Sequence, residues 1–351
     1  MGAQPATLKI IAEQAGVSIM TVSRALRAHP EVNENTRQRI LQLARELGYR
    51  PDARMSELMA YIRQKNRPEF SGTLAILRGF SKVGDEVPHY VTNELQIRGA
   101  HQHANALGYK IDEFELPFDG TKDRRLGTIL KARGISGLIL YPPPQPGSVL
   151  TFDVSDFCPV AYSTNLKSPA MNRVIGNPHH TVQVCMERLV ERGYKRIGMS
   201  LYTVTDTNTN HDFLPAFLLH QYLAAASDRI PPLIYTDLGE DGYNQFIKWV
   251  RRYRPAVIVS HDTVALEWLL RGKVKVPEEV GFVNLSQNNG DSLPTAGLHE
   301  NPGDMGSLLI DVVLTLVRSK EMGLPLIPRD SYSQATWNDG PTLTNRAKAP
   351  S

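Results

Sequence analysis

Residues 7–51 read TLKIIAEQAGVSIMTVSRALRAHPEVNENTRQRILQLARELGYRP, and three short helical patterns follow one another there. Thr7 can cap a first helix whose Leu8, Ile11, Ala12 and Ala15 fall at i, i+3, i+4 and i+7, with Gly16 where a left-handed cap is wanted. Ser18 caps a second helix after a tight turn. That helix buries Val22 and Leu26, which leaves Ile19, Met20, Thr21, Ser23 and Arg24 facing outward as a mixture of apolar, hydroxyl and basic groups. A third helix starts at Asn33, turns Ile40, Leu41, Ala44 and Leu47 inward, and closes at Gly48. Two helices joined by a Gly-containing turn and braced by a third form a helix-turn-helix, the arrangement that lays its second helix in the DNA major groove.

AEQAGVS, then TVSRAL two residues on, then TRQRI and LGYRP: these runs closely resemble the N-terminal domain of the LacI family of bacterial transcription regulators. The match is specific because it holds through cap, turn, buried face and spacing together. The resemblance implies double-stranded operator DNA as a partner. It places Ile19 and Met20 at base edges, Arg24 within reach of a guanine, and Thr21 and Ser23 at phosphates, with Thr7, Ser18, Asn33 and Tyr49 at the same surface.

Charge and composition agree with such a module. Residues 1–67 hold 11 basic and 6 acidic residues, whereas the chain of 351 residues carries 39 basic against 36 acidic. One end therefore suits phosphates and the rest does not. The chain is long enough for more than one buried core. Its two cysteines, Cys158 and Cys185, form no CxxC motif and read as free thiols of a reducing cytoplasm. Nowhere do eighteen apolar residues run together, so a soluble cytoplasmic protein without membrane insertion is expected.

After Pro51, Asp52 can cap a fourth helix, ARMSELMAYIRQK, with Met55, Leu58, Met59 and Ile62 in one stripe. By resemblance this is a hinge helix that orders on DNA. Two of them, from a homodimer, push Leu58 into the minor groove, beside Met55 and Met59. Met55 stands where the family usually has a small residue.

From Gly72 onward apolar strands alternate with amphipathic helices: TLAIL, KIDEFEL, SGLILYP and PVAYS, then from Arg173 VIG, KRIGMSL, LIYTD, AVIVS and VGFVNLS, with helices between. Strand, helix and parallel strand in rotation mean a doubly wound α/β sheet, and two series mean two lobes. The echo of ANALGYKIDEF in VERGYKRIGM supports the division. The whole reads as an all-α helix-turn-helix domain plus an α/β body of two doubly wound lobes. The family's body resembles a periplasmic binding protein, whose lobes hinge over a ligand. The expected divisions are 1–51 for the DNA-binding domain, 52–71 for hinge helix and linker, 72–163 with 300–323 for the first lobe, and 164–299 with 324–345 for the second. The chain then passes between lobes near Ser163, Glu300 and Gly323.

Family members that bind sugars present acidic residues and an Arg at places that here read Asn177, Asn210-His211, His261-Asp262 and Asn284. Only Asp262 keeps its charge. Amides and imidazoles leave donors and acceptors but weaken each bond. The expected effector is therefore a polyol, sugar derivative or oligosaccharide fragment rather than a plain hexose, with Arg78, Phe80, Tyr162, Asn165 and Trp268 supplying further contacts. The chain holds no GxSxG, HExxH, GxxxxGK[ST] or strand-following GxGxxG, and its histidine pairs lack a third ligand at metal spacing. No catalytic residue, metal or cofactor is expected. A sugar-processing enzyme fused to a DNA-binding domain, or a regulator blind to ligands, are the other readings.

Overall fold

The computed structural model describes residues 8–18, 21–22, 25, 32–47, 71–80, 91–118, 124–141, 147–162, 164–287 and 293–348. The chain divides into two compact units, Met1–Pro68 and Glu69–Ser351.

In the first unit, helices α1 (Leu8–Ala15) and α2 (Glu34–Glu46) flank a helical turn that includes Thr21, Val22 and Ala25. Gly16 has φ +62°, which lets the chain leave α1 without a Cβ clash. Ser18 caps the next turn: its Oγ accepts the Thr21 amide at 3.1 Å, and the Val22 amide donates to its carbonyl at 3.1 Å. Asn33 caps α2 by accepting the Asn35 amide at 2.9 Å. Ile11, Ala12, Ala15, Val22, Ala25, Val32, Ile40 and Ala44 form the core. Leu43, rather than the expected Leu41, packs against it, because 40, 43, 44 and 47 fall on one face of the helix. Arg39 ties α2 to the carboxyl end of α1 by donating to the Ala15 carbonyl at 2.7 Å.

The second unit holds two six-stranded sheets. The strands are β1 (Gly72–Phe80), β2 (Tyr109–Pro117), β3 (Gly137–Tyr141), β4 (Ser148–Val149), β5 (Cys158–Tyr162), β6 (Leu166–Ser168), β7 (Arg173–Gly176), β8 (Ile197–Tyr202), β9 (Leu233–Tyr235), β10 (Val257–Ser260), β11 (Gly281–Gln287), β12 (Ala296–His299), β13 (Asp330–Ser333) and β14 (Thr336–Asn338). The first sheet runs β13-β7-β5-β3-β1-β2, parallel throughout; the second runs β14-β12-β11-β10-β8-β9, with only β14 antiparallel. Central strands such as β3 and β11 are buried along their whole length, as strands covered on both faces must be.

Helices α3 (Val91–Ala106) and α10 (Pro302–Ser319) cover one face of the first sheet, where Ile97, Ala100, Met305, Leu309, Ile310 and Val313 share a core. They approach so closely that a Cβ at Gly306 would collide with the Gln96 carbonyl, and one at Gly99 with the backbone of Gly303. On the second sheet, α5 (Pro178–Glu191) and α7 (Phe213–Leu223) pack over Met199, Leu201, Val259 and Val283.

Strand membership differs from the expected divisions at two points. β7 and β13, expected in the second lobe, are paired neighbours at the edge of the first sheet. The chain therefore leaves the first sheet after Gly176, not near Ser163, and leaves it again between Ser333 and Thr336, not at Gly323. Pairing of β13 with β7 decides this, fastened by Arg173, which donates to both Asp330 carboxylate oxygens at 2.8 and 2.7 Å. The passage at Glu300 lies between β12 of the second sheet and α10, which packs on the first.

Candidate functional site

In the first unit, the described candidates are cap residues. Ser18 and Asn33 hold helix starts, and the Thr21 hydroxyl lies 2.9 Å from that of Ser18. Thr7, Ile19, Met20, Ser23, Arg24, Tyr49, Met55, Leu58 and Met59 lie outside the described residues, as does the expected hinge helix.

In the second unit a cavity of about 470 Å³ lies between the two sheets. Its wall is made by strand ends: Arg78 and Gly79 of β1, Tyr141 of β3, Tyr162 of β5, Gly176 of β7 and Ser333 of β13 from one sheet, and Tyr202 of β8, His261 just after β10 and Ser286 of β11 from the other. Parallel strands that all point their carboxyl ends at one crevice make the ordinary ligand site of open α/β sheets.

Of the residues singled out from sequence, Arg78, Tyr162, Asn165, Asn177 and His261 meet at this wall. Four others do not. Asp262 turns away to accept the Val264 amide at 3.0 Å and to sit against the Tyr235 hydroxyl at 3.4 Å, so it caps the helix Val264–Arg271. His211, at φ +62°, reaches back to Asp206 at 2.6 Å and is exposed. Asn284 is buried within β11, where its Oδ1 accepts the Ser286 amide at 2.9 Å. Phe80 ends β1 with its carbonyl bonded to the Phe118 amide at 2.8 Å and does not line the cavity. Trp268 is core, its ring centroid 5.0 Å from that of Tyr235 and tilted by 60°.

Sequence reasoning missed Tyr141, Tyr202, Asp212, Ser286 and Glu300 on the wall. Tyr141 and Tyr202 close their apolar strands, and the carboxyl-end rule applied strictly would have found them. Glu300 stands in a polar connection with no local signal.

The wall is aromatic and acidic. Tyr141 and Tyr162 have ring centroids 5.1 Å apart. Burial pushes the Tyr162 phenol up to about 12, with the nearby Glu300 adding to the shift. His261 presents its ring to Phe213 at 5.2 Å and 70°, and burial lowers its imidazole to about 4, so it is neutral near pH 7. Its Nε2 lies 3.9 Å from the Glu300 carboxylate, too long for a hydrogen bond, and desolvation decides its state. Burial raises the Glu300 carboxyl above the usual range, a shift that the Ser286 hydroxyl opposes by donating to it. Burial also raises Asp212, opposed most by His179. Arg78 is bound to Glu94 and, at 3.2 Å, to Glu113. Asn177 uses its Oδ1 to accept the His180 amide at 3.1 Å and so caps α5 from the cleft side. Thr164 donates to the Asn208 carbonyl at 2.9 Å, joining the segment after β5 to the helix after β8. Among the described residues no group of three or more His, Cys, Asp or Glu is placed to hold a metal, and no helix is long and apolar enough to cross a membrane.

The model of "Bacterial regulatory proteins, lacI family" matches residues 7–52. Over 336 residues, 91% of this chain and 95% of the relative, the sequence is 25% identical to the HTH-type transcriptional regulator RegA of Clostridium saccharobutylicum. In fold, the chain is similar to the Lac repressor dimer bound to operator and the anti-inducer ONPF, with TM-score 0.54 and 17% identity over 97% of this chain and all of that one. It is also similar to the transcriptional regulator CelR in complex with cellobiose, with TM-score 0.51 and 16% identity over 96% and 99% of the two chains. Helix-turn-helix, two parallel-sheet lobes and a cleft at their strand ends define a regulator with a periplasmic-binding-protein-like body. Residues 7–52 carry the DNA-binding domain of the LacI family of bacterial regulatory proteins, and over most of its length the chain is similar to a transcriptional regulator.

Proposed function

We propose that the protein is a cytoplasmic, homodimeric repressor that binds a near-palindromic operator and whose operator affinity is set by a small, polar, carbohydrate-like effector held in the cleft. The observation that carries this reading is the cavity itself. A body whose only task was to hold two DNA-binding units together has no need of hydroxyls, amides and carboxylates gathered at strand ends around about 470 Å³. Aromatic faces suit the apolar side of a sugar ring, and Asn165, Ser286, Ser333 and Glu300 suit its hydroxyls. The complexes with ONPF and with cellobiose of two proteins of similar fold support the same assignment.

Effector and DNA are coupled through the passages between lobes. Glu300 and Ser333 line the cleft and adjoin two of them. Asn301, at φ +51°, bonds His299 Nδ1 at 2.8 Å and Thr336 Oγ1 at 3.2 Å, joining those two passages. A ligand that prefers one setting of these joints shifts the lobes by its difference in affinity for the two settings. On the DNA side, Ile19, Met20 and Arg24 read bases and Leu58 is the wedge. The test is a melting screen of sugars and polyols on the full chain. A compound at about a hundred times its Kd should add roughly 2.7 kcal/mol of stability. A panel without any shift would favour the ligand-blind reading.

A further inference from the structure

We propose that the cleft is built for a hydroxylated ligand that also carries a positive charge, an amino sugar being the simplest such chemistry, and that Glu300 selects for the amine. The inference rests on the effector reading above and names its ligand class.

Among the described residues of the wall, Asp212 and Glu300 are carboxylates and Arg78 is the one permanent cation. Arg78 is already bound by two carboxylates, Glu94 and Glu113. Arg173, the guanidinium near Asp212, is held by both oxygens of Asp330. His261 stands 3.9 Å from Glu300 as a neutral ring. The surroundings of the cleft therefore carry more acid than base. A sugar phosphate entering here meets like charges, and a neutral sugar brings Glu300 no positive charge beyond the neighbouring His299 ring, whereas Asp212 already has His179, His211 and Arg173 beside it. An ammonium group pairs with Glu300 in a partly desolvated space, where such a pair is stronger than in water.

A second observation points to a ligand independently of charge. Tyr141 is 4% exposed, stands on the wall, and its hydroxyl has no hydrogen-bond partner within the protein. Buried phenols are ordinarily bonded, so this oxygen is placed for a polar group brought by a ligand. The rings of Tyr141, Tyr162, Tyr202 and Phe213 add aromatic faces, which receive both the apolar side of a sugar and a cation.

The experiment is calorimetry on the full-length protein with matched probes: glucosamine, N-acetylglucosamine, glucose and a glucose phosphate, and the corresponding series of β-linked disaccharides. The amine should bind about ten-fold more tightly than its N-acetyl or parent form, the effect of one partly buried ion pair, and the phosphate should bind weakest. Glu300→Gln should erase that preference, so that the amine and its parent sugar bind the variant within about two-fold of each other. Circular dichroism would establish that the variant folds; if it does not, the wild-type preference across the series decides alone. A neutral or phosphorylated probe that binds as well as the amine overturns the inference and leaves the effector reading standing, as does a preference that survives in folded Glu300→Gln. If no member of either series binds, both fall.

Discussion

His261 is the histidine of the cleft wall whose protonation is moved far from its solution behaviour. The half-buried ring is held down to about 4 against an ordinary 6.5, so the unfolded chain takes up a proton that the folded chain refuses. Its contribution to stability is full above the ordinary value and is lost as pH falls from about 6.5 towards 4. At about 1.36 kcal/mol per unit the loss approaches roughly 3 kcal/mol. Urea unfolding at a series of pH values should show that decline, and His261→Gln should flatten it; an equal slope in the variant would mean that the ring is hydrated. The proposed base contact of Arg24 has a test of its own. Arg24→Ala should cost on the order of 1–3 kcal/mol at a selected operator and relax preference at one base pair. An equal loss on random DNA would show that Arg24 holds only phosphate.

Among the elements, the pair α3 and α10 depends on having no side chain where the two helices touch. Gly306→Ala would place a methyl group against the Gln96 carbonyl, and separating the helices should cost about 1–3 kcal/mol by denaturant unfolding. A variant as stable as wild type would show that the contact is slack. The segment around Leu58 is the second element with a decisive test. If Leu58 is the proposed wedge that opens the central base step, Leu58→Ala should lower affinity and reduce the bend in a circular-permutation gel. Unchanged affinity with the same bend would remove the hinge assignment. These elements also show what a sequence discloses. Helix caps at Ser18 and Asn33 and most of the inward row, Ile11, Ala12, Ala15, Val22, Ile40 and Ala44 but not Leu41, were legible because they depend on spacing within one turn or two. The rotation of strands and helices was legible for the same reason. The lobe to which β7 and β13 belong was not, since it is fixed by pairing between residues far apart, Arg173 with Asp330. In the cleft, neighbours in sequence part company. His261 faces the ligand space and Asp262 caps a helix, while Ser286, not Asn284, reaches the wall. Chemistry of the residue type alone does not choose between them.

At the scale of the whole molecule, one helix-turn-helix reads only a few base pairs, and in the proposed homodimer two copies acting on half-sites about one helical turn apart would supply the rest. The central claim is that occupancy of the cleft changes the affinity for operator. Its most direct measurement is fluorescence anisotropy on a duplex selected by the protein from a random-sequence pool, titrated at fixed salt with and without a saturating amount of the panel compound that most raises the melting temperature. The account predicts a change in operator Kd of about 5- to 150-fold, the usual range of such coupling. It also predicts that Glu300→Gln shifts the compound concentration at which the change occurs. Identical operator affinity in the empty and the saturated protein would contradict it.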